Sequence, residues 1–308
     1  MRGLSRGFMN DLLKPEGRLN PILERVKKDH TLMLAIRDGY VNIYYRGGNI
    51  LRVTEQDDFY QTFFDVQYGL GQEVADSEVD VSNQGDAQKL VAVLPDRKVI
   101  MDEYFAAKGK TEREFQQLVA RENNYSSISN ETEYFISDIE VTVPYLARFD
   151  VVAVHWPAKY RKYGSKCRVA LMEMKYGDGS LRGDAGLLKH LKDMDAFVSD
   201  REQYANLLLT MERQFNQLDE LGLINFNKGT SNAKVKLNPN DKPEVIFILA
   251  NHNPRSSILK KILRDPELEG YAQSKLFDLR FYVASFAGYG LHTDCMRTLV
   301  EFQNLSKA

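Results

Sequence analysis

Two stretches, RFDVVAV at 148–154 and CRVALMEMKYG at 167–177, decide how the chain is read. Both are dense in β-branched and apolar residues over the length of a strand, and a short basic segment joins them, so they read as neighbouring antiparallel strands. Side chains alternate along a strand. Glu173 and Lys175 therefore share one face with Val169 and Leu171, and both charges emerge where the apolar run ends. Asp150 stands near the start of the preceding run. Charges on such a face are costly without partners.

Working outward, the residues before Asp150 predict helices over Lys98 to Ala107 and Glu112 to about Glu122, then a first strand over Tyr134 to Val143. After Tyr176, helical periodicity covers Asp184 to Val198 and Glu202 to Leu221, and Val245 to Ala250 is a wholly apolar run suited to a buried strand. Ser257 to Arg264 reads as helix and Phe277 to Phe286 as strand, with Thr293 a cap for a closing helix. The order is helix, three-strand meander, helices, strand.

Towards the amino terminus an amphipathic helix is expected from Gly7 to Lys28, then three strands, Thr31 to Arg37, Tyr40 to Arg46 and Asn49 to Val53. Asp38-Gly39 and Gly47-Gly48 are pairs of the kind that close tight hairpins. Gly69 to Ala87 reads as a loop or linker, so composition places a small helix-plus-meander domain at 1–86 and a second domain at 87–308. The fold class expected is α/β of the mixed, α+β kind.

Asp150, then Glu173-x-Lys175 after a hairpin, within that element order, resembles the restriction-endonuclease-like PD-(D/E)xK nuclease superfamily over roughly Thr111 to Asn251. Phe149 stands where the family name has proline. The resemblance implies a metal-dependent nuclease, DNA being the expected partner, in which Asp150 and Glu173 hold metal and Lys175 acts on the attacking water. Two carboxylates at adjacent strand ends suit Mg²⁺, with Mn²⁺ as the alternative ion. Glu173 and Lys175 also read as an exposed strand-end ion pair worth under ~1 kcal/mol, and the fold also suits a non-catalytic nucleic-acid- or protein-binding module.

Supporting residues follow by helical geometry. Thr111 and Glu114 have the spacing of a capping box, whereas Glu122 lies on the face of Phe115, Leu118 and Val119 and is the candidate further metal or water ligand, unless it is exposed at a fraying helix end. His190, flanking the stripe Leu187, Leu188, Leu191, Met194 and Val198, is a candidate for phosphate or water contact or else a satisfied boundary histidine. Asp138 and Glu140 either assist the site or face solvent.

A net charge of -2 is not the bulk signature of a nucleic-acid binder, so any polyanion contact has to be local. The expected contact is the basic segment in which Lys159, Arg161, Lys162, Lys166 and Arg168 alternate with Tyr160 and Tyr163, which otherwise reads as an ordinary charged hairpin tip. Apolar and charged shares of 43% and 27% are those of a soluble globular protein. Cys167 and Cys295 have no zinc or disulfide spacing, and neither a signal peptide nor a spanning segment is evident, so a cytoplasmic protein with no membrane partner is expected. A homodimer is neither required nor excluded.

Overall fold

The computed structural model describes residues 2–125, 132–144, 146–183, 186–226, 233–251, 257–284, 291, 293 and 296–305. It is a mixed α/β protein, and its described strands form two five-stranded sheets. The chain divides into two compact units, one of Met1–Gln117 with Asn216–Ile224 and one of Leu118–Phe215 with Asn225–Ala308. Composition had placed a break at 86/87.

The first unit opens with α1 (Arg6–Leu13) and α2 (Asn20–Lys28) where one helix was expected. The break has a steric cause. Gly17 sits so close to the Asp11 carbonyl that an added Cβ would lie 2.3 Å from its oxygen, so the chain turns there at a residue with no side chain. The sheet is a meander of β1 (Leu32–Ile36), β2 (Tyr40–Tyr45), β3 (Gly48–Glu55), β4 (Tyr60–Phe63) and β5 (Glu78–Val81), in that order. Arg46 and Gly47, both at positive φ, form the two-residue β2–β3 turn, and Gly48 already pairs with Tyr45, one residue earlier than the expected Gly47-Gly48 link.

Part of the segment expected as loop is ordered into β5 and the start of α3 (Gln84–Ala107). Asn83 caps this helix by accepting from the Asp86 amide, and the helix continues through Pro95, so it is longer than the Lys98 to Ala107 segment that periodicity reveals. Glu114 lies in the first turn of α4 (Thr111–Asn124). Its carboxylate meets Arg46, with Nε 3.0 Å from Oε1.

The second unit's sheet runs β10-β9-β8-β7-β6, built from β6 (Tyr134–Val143), β7 (Ala147–His155), β8 (Arg168–Tyr176), β9 (Glu244–Ala250) and β10 (Asp278–Ala284). Strands β6, β7 and β8 are antiparallel, whereas β9 pairs parallel to both β8 and β10. A parallel pair needs a crossover, and α5 (Leu187–Ser199) and α6 (Arg201–Glu220) supply it between β8 and β9. Every residue of β9 is buried, as its unbroken apolar run requires of a strand covered on both faces.

Short helices α7 (Ser257–Ile262), α8 (Pro266–Tyr271) and α9 (Leu299–Leu305) complete the described α-helices. Thr298, not Thr293, caps the last of these, its hydroxyl accepting from the Glu301 amide at 3.3 Å. The expected helix and strand ends at Asp184 and Phe286 lie outside the described residues, as does Cys295. Among the described residues no helix is long and apolar enough to cross a membrane.

Candidate functional site

The pairing of β7 with β8 brings the motif residues together. Val151 lies opposite Met172 and Val152 opposite Leu171, so alternation puts Asp150 on the face of Val152 and puts Glu173 and Lys175 on the same face with Leu171. Just beyond the last paired residues, Asp150 Oδ2 accepts the backbone N–H of Met174 at 2.8 Å. Lys175 Nζ donates to Glu173 Oε1 at 2.7 Å. All three charged residues are buried, at 4%, 3% and 3% exposure, so the exposed ion pair offered by the sequence is excluded. Burial makes this pairing obligatory, because an unpaired charge there would carry a large desolvation penalty.

His190 completes the cluster from α5. Leu187, Leu191, Met194 and Val198 face the core, and His190 on the flank of that stripe places Nε2 3.1 Å from Glu173 Oε1. Burial first, and the Lys175 ammonium second, push the imidazole down to about 4, so it is neutral at pH 7. Asp150, Glu173, Lys175 and His190 thus stand together at one end of the β7–β8 ladder.

Other candidates are placed differently. Asp138 is fully buried and accepts Gln214 Nε2 at 2.8 Å, so it is neither exposed nor bare. Glu140 pairs with Arg148. The most buried face of α4 carries Gln116, Val119, Ala120 and Asn123, while Phe115, Leu118 and Glu122 form its half-buried flank. Among the described residues no group of three or more His, Cys, Asp or Glu side chains is placed to hold a metal.

The β7–β8 hairpin lies at the other end of the ladder. From His155 back to Asp150, at ~3.4 Å per residue, is roughly 17 Å. Lys159, Lys162 and Lys166 are exposed there, as are Tyr160 and Tyr163. Arg161 is not a surface group. It is 4% exposed, donates to the Thr132 carbonyl and lies over the Phe135 ring, and burial pulls its pKa down. Arg168, 30% exposed, is held by Glu244 and by Asp278 Oδ2 at 2.7 Å.

Glu244 anchors a second buried polar cluster that the sequence did not reveal. It accepts the Tyr134 hydroxyl at 2.9 Å and lies 3.2 Å from His155 Nδ1, and the His155 ring stacks on Tyr134 with centroids 4.3 Å apart. Burial opposes ionisation of Glu244, but His155, Arg168 and Tyr134 together hold its carboxyl below the ordinary value. These residues come from four strands, and the only local signal is a charge next to an apolar run. Beside them opens a cleft of about 530 Å³ lined by His155, Tyr160, Lys166, Arg168, Asp241 and Lys242. Cys167, also on its wall, is a buried free thiol that burial pushes up to about 12.

Comparison with family models, curated proteins and solved structures gives no match to the chain.

Proposed function

We propose that the second unit is a metal-dependent phosphodiesterase acting on nucleic acid, DNA foremost, with its centre at Asp150, Glu173 and Lys175. The observation that supports this is the burial of two carboxylates and an ammonium on one sheet face, where three leucines or valines would be less costly. Their donor chemistry fits a hard divalent cation, since Mg²⁺ is commonly held by one or two carboxylates together with water and substrate phosphate. Asp150 and Glu173 would hold Mg²⁺ or Mn²⁺, which when bound polarises a phosphodiester and acidifies water.

The chain's own residues do the rest. Lys175, fixed by Glu173, is a pre-oriented cation for charge developing on the phosphoryl oxygens. His190, neutral at pH 7, orders water beside Glu173 without adding a competing positive charge. A second reading is a non-catalytic nucleic-acid- or protein-binding module. It is favoured by the bonds already made within the cluster, Asp150 to the Met174 amide and Glu173 to Lys175.

The test is incubation of the wild-type protein and Asp150→Asn with labelled duplex DNA, single-stranded DNA and RNA, in Mg²⁺, Mn²⁺ or EDTA. Cleavage lost in EDTA and in the variant supports the phosphodiesterase. Binding that leaves substrate intact supports the module, and neither binding nor cleavage sinks the nucleic-acid reading.

A further inference from the structure

With Arg161 buried and Arg168 held by Glu244 and Asp278, it is open which cation meets a polyanion at the Asp150 end of the sheet. Arg148 lies on β7 two residues before Asp150, so alternation directs it to the face of Asp150, Glu173 and Lys175. Its side chain is 50% exposed, whereas those three are almost wholly enclosed.

A second observation concerns the partner that holds it. Glu140, on β6, has a φ of 52° in the middle of a strand, a left-handed conformation unfavourable for a non-glycine residue. Ile139 pairs with Val151 and Val141 with Phe149, but the ladder has no pair between Glu140 and Asp150. The strand is distorted opposite the candidate carboxylate, and the distorted residue turns its own carboxylate to Arg148.

We infer that Arg148 is the phosphate-binding arm of this site, its guanidinium taking the oxygens of a nucleic-acid phosphate and Glu140 being the internal carboxylate it exchanges for that phosphate. This rests on the nucleic-acid reading above. The guanidinium fork matches a phosphate with two parallel hydrogen bonds, and the arginine side of the pair is half-exposed, open to a polyanion, while the Glu140 side chain is 17% exposed. Glu140 then keeps the arm in place when no substrate is bound.

Binding is measured by fluorescence anisotropy with short duplex and single-stranded DNA probes in EDTA, across a salt series. Arg148→Ala weakens binding roughly tenfold to a hundredfold and flattens the log-affinity against log-salt slope by roughly 0.9 on duplex or 0.7 on single strands. Arg148→Lys keeps the slope and recovers part of the affinity, and Glu140→Gln tightens binding at low salt. Unchanged affinity and slope in Arg148→Ala, or in Arg148→Lys and Glu140→Gln together should the alanine variant not fold, overturns the arm. Cleavage in Mg²⁺ scores the enzyme separately. Cleavage by wild type with a silent Arg148→Ala removes only the arm, binding without cleavage that still depends on Arg148 removes only the enzyme, and a wild-type protein that binds no probe removes both.

Discussion

The backbone N–H of Met174 donates to Asp150 Oδ2 at 2.8 Å, so the aspartate of one strand holds the end of its neighbour. Its structural and chemical roles are separable, because the hydrogen bond needs only an oxygen whereas a cation needs the charge.

Asp150→Asn therefore keeps the fold, since its amide oxygen can still accept the Met174 N–H, and abolishes any Mg²⁺-dependent cleavage. Asp150→Ala leaves that buried donor unsatisfied and destabilises by roughly 1–3 kcal/mol. Urea denaturation distinguishes them. Equal destabilisation by both substitutions would mean that the charge, not the hydrogen bond, secures the strand.

Lys175→Met removes one member of a buried pair and strands Glu173 in the core. A loss of roughly 3–5 kcal/mol is expected. Because Lys175 helps push the His190 imidazole down to about 4, its removal should also raise the histidine pKa. An NMR titration that finds the His190 pKa unmoved would show that burial alone depresses it.

Stability should depend on pH through His190. In the folded protein the imidazole is pushed down to about 4 from an ordinary 6.5, so between these values the unfolded chain binds a proton that the native one refuses. Stability present above pH 6.5 is lost as pH falls towards 4, by up to roughly 3 kcal/mol from this group. His190→Gln should flatten that part of the urea-derived stability profile. An identical slope in the variant would assign the loss to other groups.

The strands around the candidate site were legible because alternation and apolar runs are local properties. Tyr134 to Val143 was read with its final boundaries, and Glu173 and Lys175 were placed on one face from spacing alone. Short, partly exposed β4 and β5 carry too little pattern, since Gln61, Glu78 and Asp80 face solvent and four residues give few alternations. The limits at the site are of another kind. Arg161 in a run of cations reads as solvated, and only the tertiary arrangement supplies the Thr132 carbonyl and Phe135 ring that draw it inside. Nothing local marks Arg148, because its partner is Glu140, whose backbone conformation no pattern reveals.

The same contrast between inward and outward cations gives a last prediction at the hairpin. Arg161→Ala deletes a buried guanidinium with its hydrogen bond and ring contact, and should destabilise by roughly 1–3 kcal/mol, offset in part by relief of the charge's burial. Replacing Lys159, Lys162 and Lys166 with Ala should leave the unfolding midpoint nearly unchanged, because surface substitutions away from packed features are usually close to neutral. If these lysines meet phosphate, the triple variant also flattens the salt slope by roughly 0.7 to 0.9 for each phosphate no longer neutralised, equally across unrelated sequences. The hairpin lies roughly 17 Å along the ladder from Asp150, so cleavage at saturating substrate should survive. A salt slope that falls only in Arg148→Ala would place the whole polyanion interface at the Asp150 end of the sheet, and an unchanged slope in both would leave neither basic feature as a binding surface.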